Sequence, residues 1–329
     1  DHYKRVIDSI RSHGMEPNVT LHHFTNPIWA QREGGWENPE MPRWLARYAA
    51  YIAREIGDRV DLWWTINEPM IAPTLCYVLG VHPPCVRDLG RAMTAARHVL
   101  LGHGEMYRAI RGALAHEARV GVVLHMPWFE PLDPGSEADR SETEASDRFV
   151  NEYFLTGIRD GVLAPPVGAG EEIPGLRGSF DALGINYYMR VLTEAGSMGL
   201  VGKRRPGEPD RFADEMGWEV YPEGLTRNLE RLGRLGRPVY VTENGMATLD
   251  DEARSRHLLA HLEAVWNAIR TGVDVRGYMY WSLMDNFEWA EGYSRHFGLI
   301  AVDRVTLERR PRPAAYLYQD IIRENAIQD

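Results

Sequence analysis

Cysteine is scarce in this chain of 329 residues, which contains only Cys76 and Cys85. Two cysteines are too few for a disulfide framework, and these two lack the paired spacing of a zinc site, so both are predicted to be reduced thiols. Long apolar runs are lacking too, because the longest uncharged stretch, residues 69–86, is interrupted by prolines. Such a stretch is not a membrane helix, and no signal-peptide pattern opens the chain.

A surplus of positive charge is also missing. The chain has 37 Lys and Arg against 47 Asp and Glu, a net charge of −10, and this acidity argues against a nucleic-acid surface. Neither standard glycine-rich phosphate loop occurs, so a nucleotide site has no motif in its favour. The adjacent His22 and His23 lack the further His or carboxylate spacing of a metal site. We therefore predict no metal, no organic cofactor, and no nucleic-acid or membrane partner.

What the chain has is a regular alternation of short apolar stretches with amphipathic helical stretches. The short stretches are apolar almost throughout, which is typical of strands buried on both faces of a parallel sheet. Strands are predicted at residues 18–24, 60–67, 119–126, 180–188, 238–243 and 277–285, and helices at residues 41–56, 91–115, 145–159 and 252–270. Because no linker interrupts the alternation, we predict a single catalytic α/β domain over residues 1–329.

Polar residues stand at the C-terminal ends of these predicted strands. They are His22-His23, Asn67-Glu68, Asn186, Glu243-Asn244, and Asp285-Asn286 with Glu288. In a (β/α)8 barrel these ends form the catalytic face, whereas a doubly wound sheet binds ligands only near its switch point. We therefore favour a (β/α)8 TIM barrel. A barrel of this kind has eight strand–helix units of about 30 residues each, so six of eight are evident and two are missing at the N-terminus.

Two of these strand ends carry a glutamate just before a Pro or a Gly, namely Glu68 and Glu243. A lone glutamate there would more often cap a helix or form a surface ion pair. Two glutamates at equivalent points of a barrel favour a catalytic role. One carboxyl of a facing pair can protonate the leaving oxygen of a glycosidic bond while the other attacks the sugar or activates water. A separation of about 5 to 5.5 Å would make the enzyme retaining, and the sequence leaves that distance open.

The stretches Thr65-Ile66-Asn67-Glu68-Pro69 and Val241-Thr242-Glu243-Asn244-Gly245 strongly resemble motifs of the family 1 glycoside hydrolases, the β-glucosidase-like retaining enzymes. Five further stretches agree, in the family's order, and together they extend the resemblance to essentially the whole chain. They lie at residues 20–24, 184–188, 216–222, 281–289 and 292–303. The resemblance implies a TIM barrel that hydrolyses β-glycosides by double displacement through a covalent glycosyl-enzyme, without a cofactor.

The resemblance also implies roles for single residues. Glu68 is expected to be the general acid/base and Glu243 the nucleophile. The expected sugar contacts are Asn67 at the 2-hydroxyl, His23 and Trp289 at the 3-hydroxyl, Glu288 at the 4- and 6-hydroxyls, Trp281 beneath the ring and Phe297 at its 6-position end. Tyr188 is expected to steady the nucleophile with Asn186 beside it, and Trp218 is expected to lie under the aglycone.

Some of these side chains have structural alternatives. Trp281 and Phe297 could belong to the core of the barrel. Neighbouring residues on a strand point to opposite faces, so one of His22 and His23 is expected to be structural.

Glu288 bears on the substrate class as well. A carboxylate at this point repels a phosphate dianion, which disfavours phosphorylated glycosides. Unphosphorylated β-glucosides are therefore expected, with β-galactosides and β-fucosides as alternatives, because one glutamate can bind either epimer at the 4-position.

The chain departs from the family pattern at Phe24, where members commonly have Trp, and at the N-terminus. The two strand–helix units expected there bring a sugar-binding glutamine and an arginine that stabilises the nucleophile; without that arginine the pKa of Glu243 is expected to rise.

Three explanations stay open for the missing units: the sequence is part of a longer chain, a second chain supplies them as a homo-oligomer or a complementing N-terminal segment, or the protein is a repurposed relative. The last would be a catalytically impaired carbohydrate-binding or scaffold protein, against which the presence of both glutamates argues. A cytoplasmic location is the default expectation.

Overall fold

A computed structural model of the protein describes residues 1–197, 205 and 213–327. In these residues the helices are α1 (His2–Ser12), α2 (Ile28–Arg32), α3 (Met41–Ile56), α4 (Leu89–Ala113), α5 (Glu137–Asp147), α6 (Tyr153–Asp160), α7 (Pro222–Gly233), α8 (Asp251–Arg270) and α9 (Pro313–Glu324). The strands are β1 (Asn18–His22), β2 (Leu62–Asn67), β3 (Arg119–His125), β4 (Trp128–Pro131), β5 (Val162–Leu163), β6 (Glu171–Glu172), β7 (Ala182–Asn186), β8 (Arg190–Thr193), β9 (Val239–Asn244), β10 (Val275–Tyr280), β11 (Ile300–Val302) and β12 (Arg309–Pro311).

The chain divides into two compact units, one of Asp1–His125 and Arg148–Gly184, the other of Met126–Asp147 and Ile185–Asp329. The first unit contains parallel strands in the order β1, β2, β3 and the beginning of β7. Strand β2 is buried along its whole length, as its largely apolar sequence predicts. Helix α3 packs against α4 and turns inward residues spaced three or four apart, Met41, Leu45, Ala49, Ala53 and Ile56.

The second unit contains parallel strands in the order β7 (its end), β9 and β10. Helices α7 and α8 pack against each other, and a short parallel pair, β4 and β8, lies in the same unit. Helix α8 is capped by Asp250, whose carboxylate accepts the amides of Glu252 and Ala253 at 2.9 and 3.0 Å. This cap fixes the start of the helix that follows the β9 loop.

Arg254 of α8 holds the loop that follows β9. Its side chain is fully buried, and its guanidinium donates to the carbonyl oxygens of Met246 at 3.1 Å, His296 at 2.9 Å and Phe297 at 3.1 Å. It also donates to the carbonyl of Thr248. The chain just beyond Glu243 is thereby tied to the segment that carries Phe297.

All six predicted strands are present, but the sixth ends earlier than predicted. Strand β10 stops at Tyr280, and the chain beyond it leaves the sheet. The amides of Ser282 and Asp285 donate to the carbonyls of Phe297 and Ile300 at 3.3 and 3.0 Å. The apolar sequence after Tyr280 reads like a strand, yet its backbone partners lie in this later segment.

Asp285 therefore does not stand at a strand end, contrary to the prediction. Its carboxylate accepts two hydrogen bonds from the Arg312 guanidinium at 3.0 and 2.9 Å, and both residues are buried. Asp285 also accepts the amide of Gly298 at 2.9 Å. It has a structural partner and its role is to hold the chain after β10 in place.

The predicted helix over residues 145–159 is interrupted, because the π-helical turn Arg148–Glu152 separates α5 from α6. The helices over residues 222–233 and 313–324 are not among the predictions. Cys76 and Cys85 are free thiols, as predicted. None of the helices in the described ranges has both the length and the apolarity needed to span a membrane. The single-domain prediction over residues 1–329 stays a prediction.

Candidate active site

Glu68 follows the buried strand β2 with a left-handed backbone, at φ 48°. Its amide donates to the carbonyl of Val123 at 2.8 Å, and the residue is only 7% exposed. One carboxylate oxygen lies 3.6 Å from Nδ1 of His125. Burial lowers the pKa of His125 to about 4, so this imidazole is neutral at pH 7 and brings no positive charge to Glu68.

Asn67 and His23 meet beside Glu68 in the same unit. The Asn67 Nδ2 donates to His23 Nε2 at 3.2 Å, so Nε2 is the acceptor and the ring proton is on Nδ1. Burial, with a smaller contribution from His22, lowers the pKa of His23 to about 4. His22 itself is buried, packs against Trp36 and bonds Asn26 at 3.0 Å. These contacts are those expected of a structural histidine, and the sugar-binding role of His23 stays a prediction.

Glu243 lies next to the last residue of β9. The hydroxyl of Tyr188 donates to its Oε2 at 2.6 Å, and Asn186 also hydrogen-bonds the carboxylate. Thr242 donates to Asn186 Oδ1 at 2.7 Å, which leaves the NH2 of Asn186 to face Glu243. Two donors therefore converge on one carboxylate.

The pKa of Glu243 is raised to about 7. Burial is the main cause, the hydrogen bonds from Tyr188 and Asn186 oppose it, and the negative charge of Glu288 adds to it. A raised pKa for Glu243 is expected from the sequence, and the structure agrees in direction. The carboxyl is consequently close to half-ionised at neutral pH.

Glu288 is held by its neighbours in the chain. Asn286 Nδ2 donates to Glu288 Oε2 at 2.8 Å, and Trp281 bonds the same carboxylate. Burial raises the pKa of Glu288 against these two hydrogen bonds. Trp289 opens a short 3-10 turn directly afterwards. Trp281, which is predicted to lie beneath the sugar ring, and Glu288, which is predicted to bind its 4- and 6-hydroxyls, are therefore hydrogen-bonded to each other.

An aromatic cluster lies against the Tyr188 ring. The ring centroids of Tyr188 and Trp218 are 5.1 Å apart, and Phe297 lies 6.3 Å from Tyr188 and 6.2 Å from Trp218. Trp281 packs against this cluster. Phe297 is 1% exposed, so it is a packing residue in this structure, and its lining role stays a prediction.

Each unit thus gathers a different subset of the predicted site residues. The first unit holds His23, Asn67 and Glu68. The second holds Asn186, Tyr188, Trp218, Glu243, Trp281, Glu288, Trp289 and Phe297.

Sequence reasoning did not single out His125 or Asp214. His125 ends β3, so the strand-end criterion applied to the other residues could have found it. Asp214 accepts the amides of Met216, Trp218 and Ala247 at 2.9, 3.0 and 3.1 Å. Burial raises the pKa of Asp214 to about 6. No sequence pattern marks it, because its third partner is distant in the chain.

Comparison with known proteins supports one family. The family model described as glycosyl hydrolase family 1 matches residues 1–327. Beta-glucosidase A of Thermotoga maritima is 32% identical over 100% of this chain and 78% of its own length. A beta-galactosidase of Pyrococcus woesei is 34% identical over 99% of this chain and 72% of its own.

Solved structures agree. The Thermotoga maritima beta-glucosidase in complex with deoxynojirimycin has a TM-score of 0.89 at 32% identity, covering 99% of this chain and 78% of that one. The beta-glycosidase from Pyrococcus horikoshii has a TM-score of 0.88 at 37% identity, with coverages of 99% and 76%. With the parallel strand–helix order described above, these matches show that the chain belongs to glycosyl hydrolase family 1 and has the (β/α)8 TIM-barrel fold.

Proposed function

We propose that this protein is a retaining β-glycosidase that hydrolyses unphosphorylated β-glucosides, with β-galactosides and β-fucosides as alternative substrates. In this proposal Glu243 is the nucleophile and Glu68 the general acid/base. The observation that carries it is the convergence of the Tyr188 hydroxyl and the Asn186 amide on the Glu243 carboxylate. Two donors stabilise the ionised form that a nucleophile needs.

The reaction proceeds in two displacements. The Glu243 carboxylate attacks the anomeric carbon while Glu68 gives its proton to the leaving oxygen, and a glycosyl ester forms on Glu243. Glu68, now ionised, takes a proton from a water molecule, whose oxygen attacks the anomeric carbon and releases Glu243. Two inversions restore the original anomeric configuration.

The other predicted residues supply the sugar contacts in this proposal. Asn67 bonds the 2-hydroxyl, where contacts tighten as the oxocarbenium-like transition state forms. His23 and Trp289 bind the 3-hydroxyl, and Glu288 binds the 4- and 6-hydroxyls. The bonds from Asn286 and Trp281 to Glu288 support this role, since they orient its carboxylate before substrate arrives.

The substrate class has support from the relatives. The Thermotoga maritima protein is named a beta-glucosidase and the Pyrococcus woesei protein a beta-galactosidase, which fits a glutamate that accommodates either epimer. The negative charge of Glu288 disfavours a phosphorylated sugar.

Hydrolysis of 4-nitrophenyl β-glucoside by the parent and by Glu243→Gln tests the proposal. We expect nitrophenol release by the parent and none by the variant, with NMR showing the β-anomer as the first product. An α-anomer would contradict the retaining mechanism, and a folded but silent parent that still binds deoxynojirimycin would favour the non-catalytic carbohydrate-binding alternative.

Assembly and location stay predictions. A homo-oligomer or a complementing N-terminal segment would be tested by sedimentation of the 329-residue chain, and a cytoplasmic location by cell fractionation.

A further inference from the structure

Arg190 and Glu219 form a largely buried ion pair in the second unit. Arg190 Nε donates to Glu219 Oε2 at 2.8 Å and Arg190 Nη2 donates to Glu219 Oε1 at 2.7 Å. The Arg190 side chain is 3% exposed and that of Glu219 21%. A two-bond fork between a planar guanidinium and a carboxylate fixes orientation as well as distance.

This pair lies between two predicted site residues. Arg190 is two residues beyond Tyr188, which bonds Glu243, and Glu219 directly follows Trp218. The backbones of Arg190 and Glu219 also form an antiparallel bridge. The fork therefore joins the start of β8, two residues after Tyr188, to the segment that carries Trp218.

The Arg190 guanidinium has further fixed partners. Its Nη1 donates to Glu130 at 3.1 Å, and its centre lies 4.5 Å from the ring centroid of Tyr221. On the other side of Trp218, Asp214 accepts the Trp218 amide at 3.0 Å. The backbone at Trp218 is thus held from both directions along the chain.

We propose that Arg190 is a positioning residue that sets the aglycone preference of the enzyme by holding Trp218 through Glu219. This inference rests on the proposed function, in which Trp218 lies under the aglycone. An aromatic ring contributes stacking energy only when it is held in the stacking orientation, because ordering it on binding would cost entropy. Loosening the fork should therefore weaken recognition of the leaving group and leave recognition of the sugar unchanged.

The kinetics separate these two effects. The aglycone takes part in the first displacement and has left before the second. The leaving group of 2,4-dinitrophenyl β-glucoside is so good that the second displacement limits kcat. With this substrate, a variant that weakens only the contacts with the aglycone lowers kcat/KM and leaves kcat unchanged. Deoxynojirimycin has no aglycone, so its inhibition constant reports the sugar side alone.

The variants are Glu219→Gln, which keeps the shape and removes the charge, and Arg190→Lys, which keeps the charge and removes the fork. For each we expect kcat/KM to fall about tenfold, the size of one charge-assisted hydrogen bond, while kcat and the deoxynojirimycin constant stay within about twofold. Arg276→Lys is the matched control, because Arg276 forms a comparable two-bond fork with Asp274 at 3.0 and 2.9 Å outside this group of residues; it should leave all three quantities unchanged.

A double-mutant cycle with Trp218→Ala decides whether the effect passes through the indole. If it does, Glu219→Gln has no further effect on kcat/KM once Trp218 is removed. If Glu219→Gln lowers kcat/KM by the same factor when Trp218 is already alanine, the inference is wrong. It is also wrong if the inhibition constant of deoxynojirimycin rises as kcat/KM falls. Neither result would contradict the proposed function. If Trp218→Ala alone leaves kcat/KM intact, the inference is also wrong. A parent that hydrolyses no glycoside would instead overturn the proposed function, and this inference with it.

Discussion

The phenol of Tyr188 connects the Glu243 carboxylate to the aromatic cluster: its hydroxyl donates to Glu243 Oε2 at 2.6 Å while its ring packs against Trp218. One side chain therefore links the proposed reacting group with the proposed aglycone platform. A change at Tyr188 should alter both the ionisation of Glu243 and the packing around it, and the two effects can be measured separately.

Ionisation of Glu243 predicts the acid limb of the pH profile. The carboxyl must be ionised to attack, and its pKa is raised to about 7, so kcat/KM should increase as the pH rises through about 7. The Tyr188 hydroxyl stabilises the ionised form, so Tyr188→Phe should move this limb to higher pH by about one unit. Tyr318→Phe, which loses a hydroxyl bond to the Tyr278 carbonyl, is the control. A limb that stays in place in Tyr188→Phe would contradict the assignment.

The same carboxyl predicts a pH-dependent stability. Its pKa is about 7 in the folded state against 4.5 for an ordinary Glu, so between these values the folded protein keeps a proton that the unfolded chain has lost. Folding stability contributed by this group therefore falls as the pH rises from 4.5 to 7. Relative to the parent, Glu243→Gln should gain on the order of 3 kcal/mol at pH 8 and less than about 1 kcal/mol at pH 5.

Urea denaturation at these two pH values measures the difference. Glu263→Gln, an exposed carboxylate change on α8, should show almost none at either pH. Equal gains for Glu243→Gln at both pH values would exclude a titrating group as the cause.

Leaving-group dependence tests the proposed acid. Glu68→Ala should slow alkyl β-glucosides about a hundredfold or more, because their alkoxide must be protonated to leave. It should slow the first displacement of 2,4-dinitrophenyl β-glucoside far less, since that leaving group departs unprotonated. The measurement is kcat/KM across a series of aglycones. Equal losses for all of them would reject the acid role.

The buried ion pair of Asp285 and Arg312 predicts a large loss of stability. Arg312→Met would leave the Asp285 carboxylate buried without its guanidinium partner, at a cost of about 3 to 5 kcal/mol. The exposed pair Arg276–Asp274, with side chains about half exposed, provides the control: Arg276→Met should cost less than about 1 kcal/mol. Similar urea midpoints for the two variants would show that the Arg312 pair is not stabilising.

The strands were predictable because burial on both faces leaves a run that is apolar almost throughout, as in β2. The failure after Tyr280 has a physical reason: an apolar run shows that a segment is buried, not which backbone it pairs with. Ser282 and Asp285 find partners some 15 residues later in the chain, and no local pattern specifies that pairing.

The strand-end positions of the candidate residues were predictable to a similar extent. Glu68, Asn186 and Glu243 stand at or next to the ends of the parallel strands β2, β7 and β9, where the sequence pattern placed them. The fork between Arg190 and Glu219 joins residues 29 apart, and nothing in either local sequence points to the other. Side chains that hold a site in place are chosen by tertiary neighbours, which is why a single sequence does not reveal them.

Glu68 carries its carboxyl on a left-handed backbone. For a residue with a Cβ that conformation costs about 1 to 2 kcal/mol, whereas glycine adopts it freely. A redesign for thermostability that ranks substitutions by folding free energy alone would therefore favour glycine at position 68. It would improve the fold by deleting the proposed acid, so position 68 should be held constant in any stabilising library built on this chain.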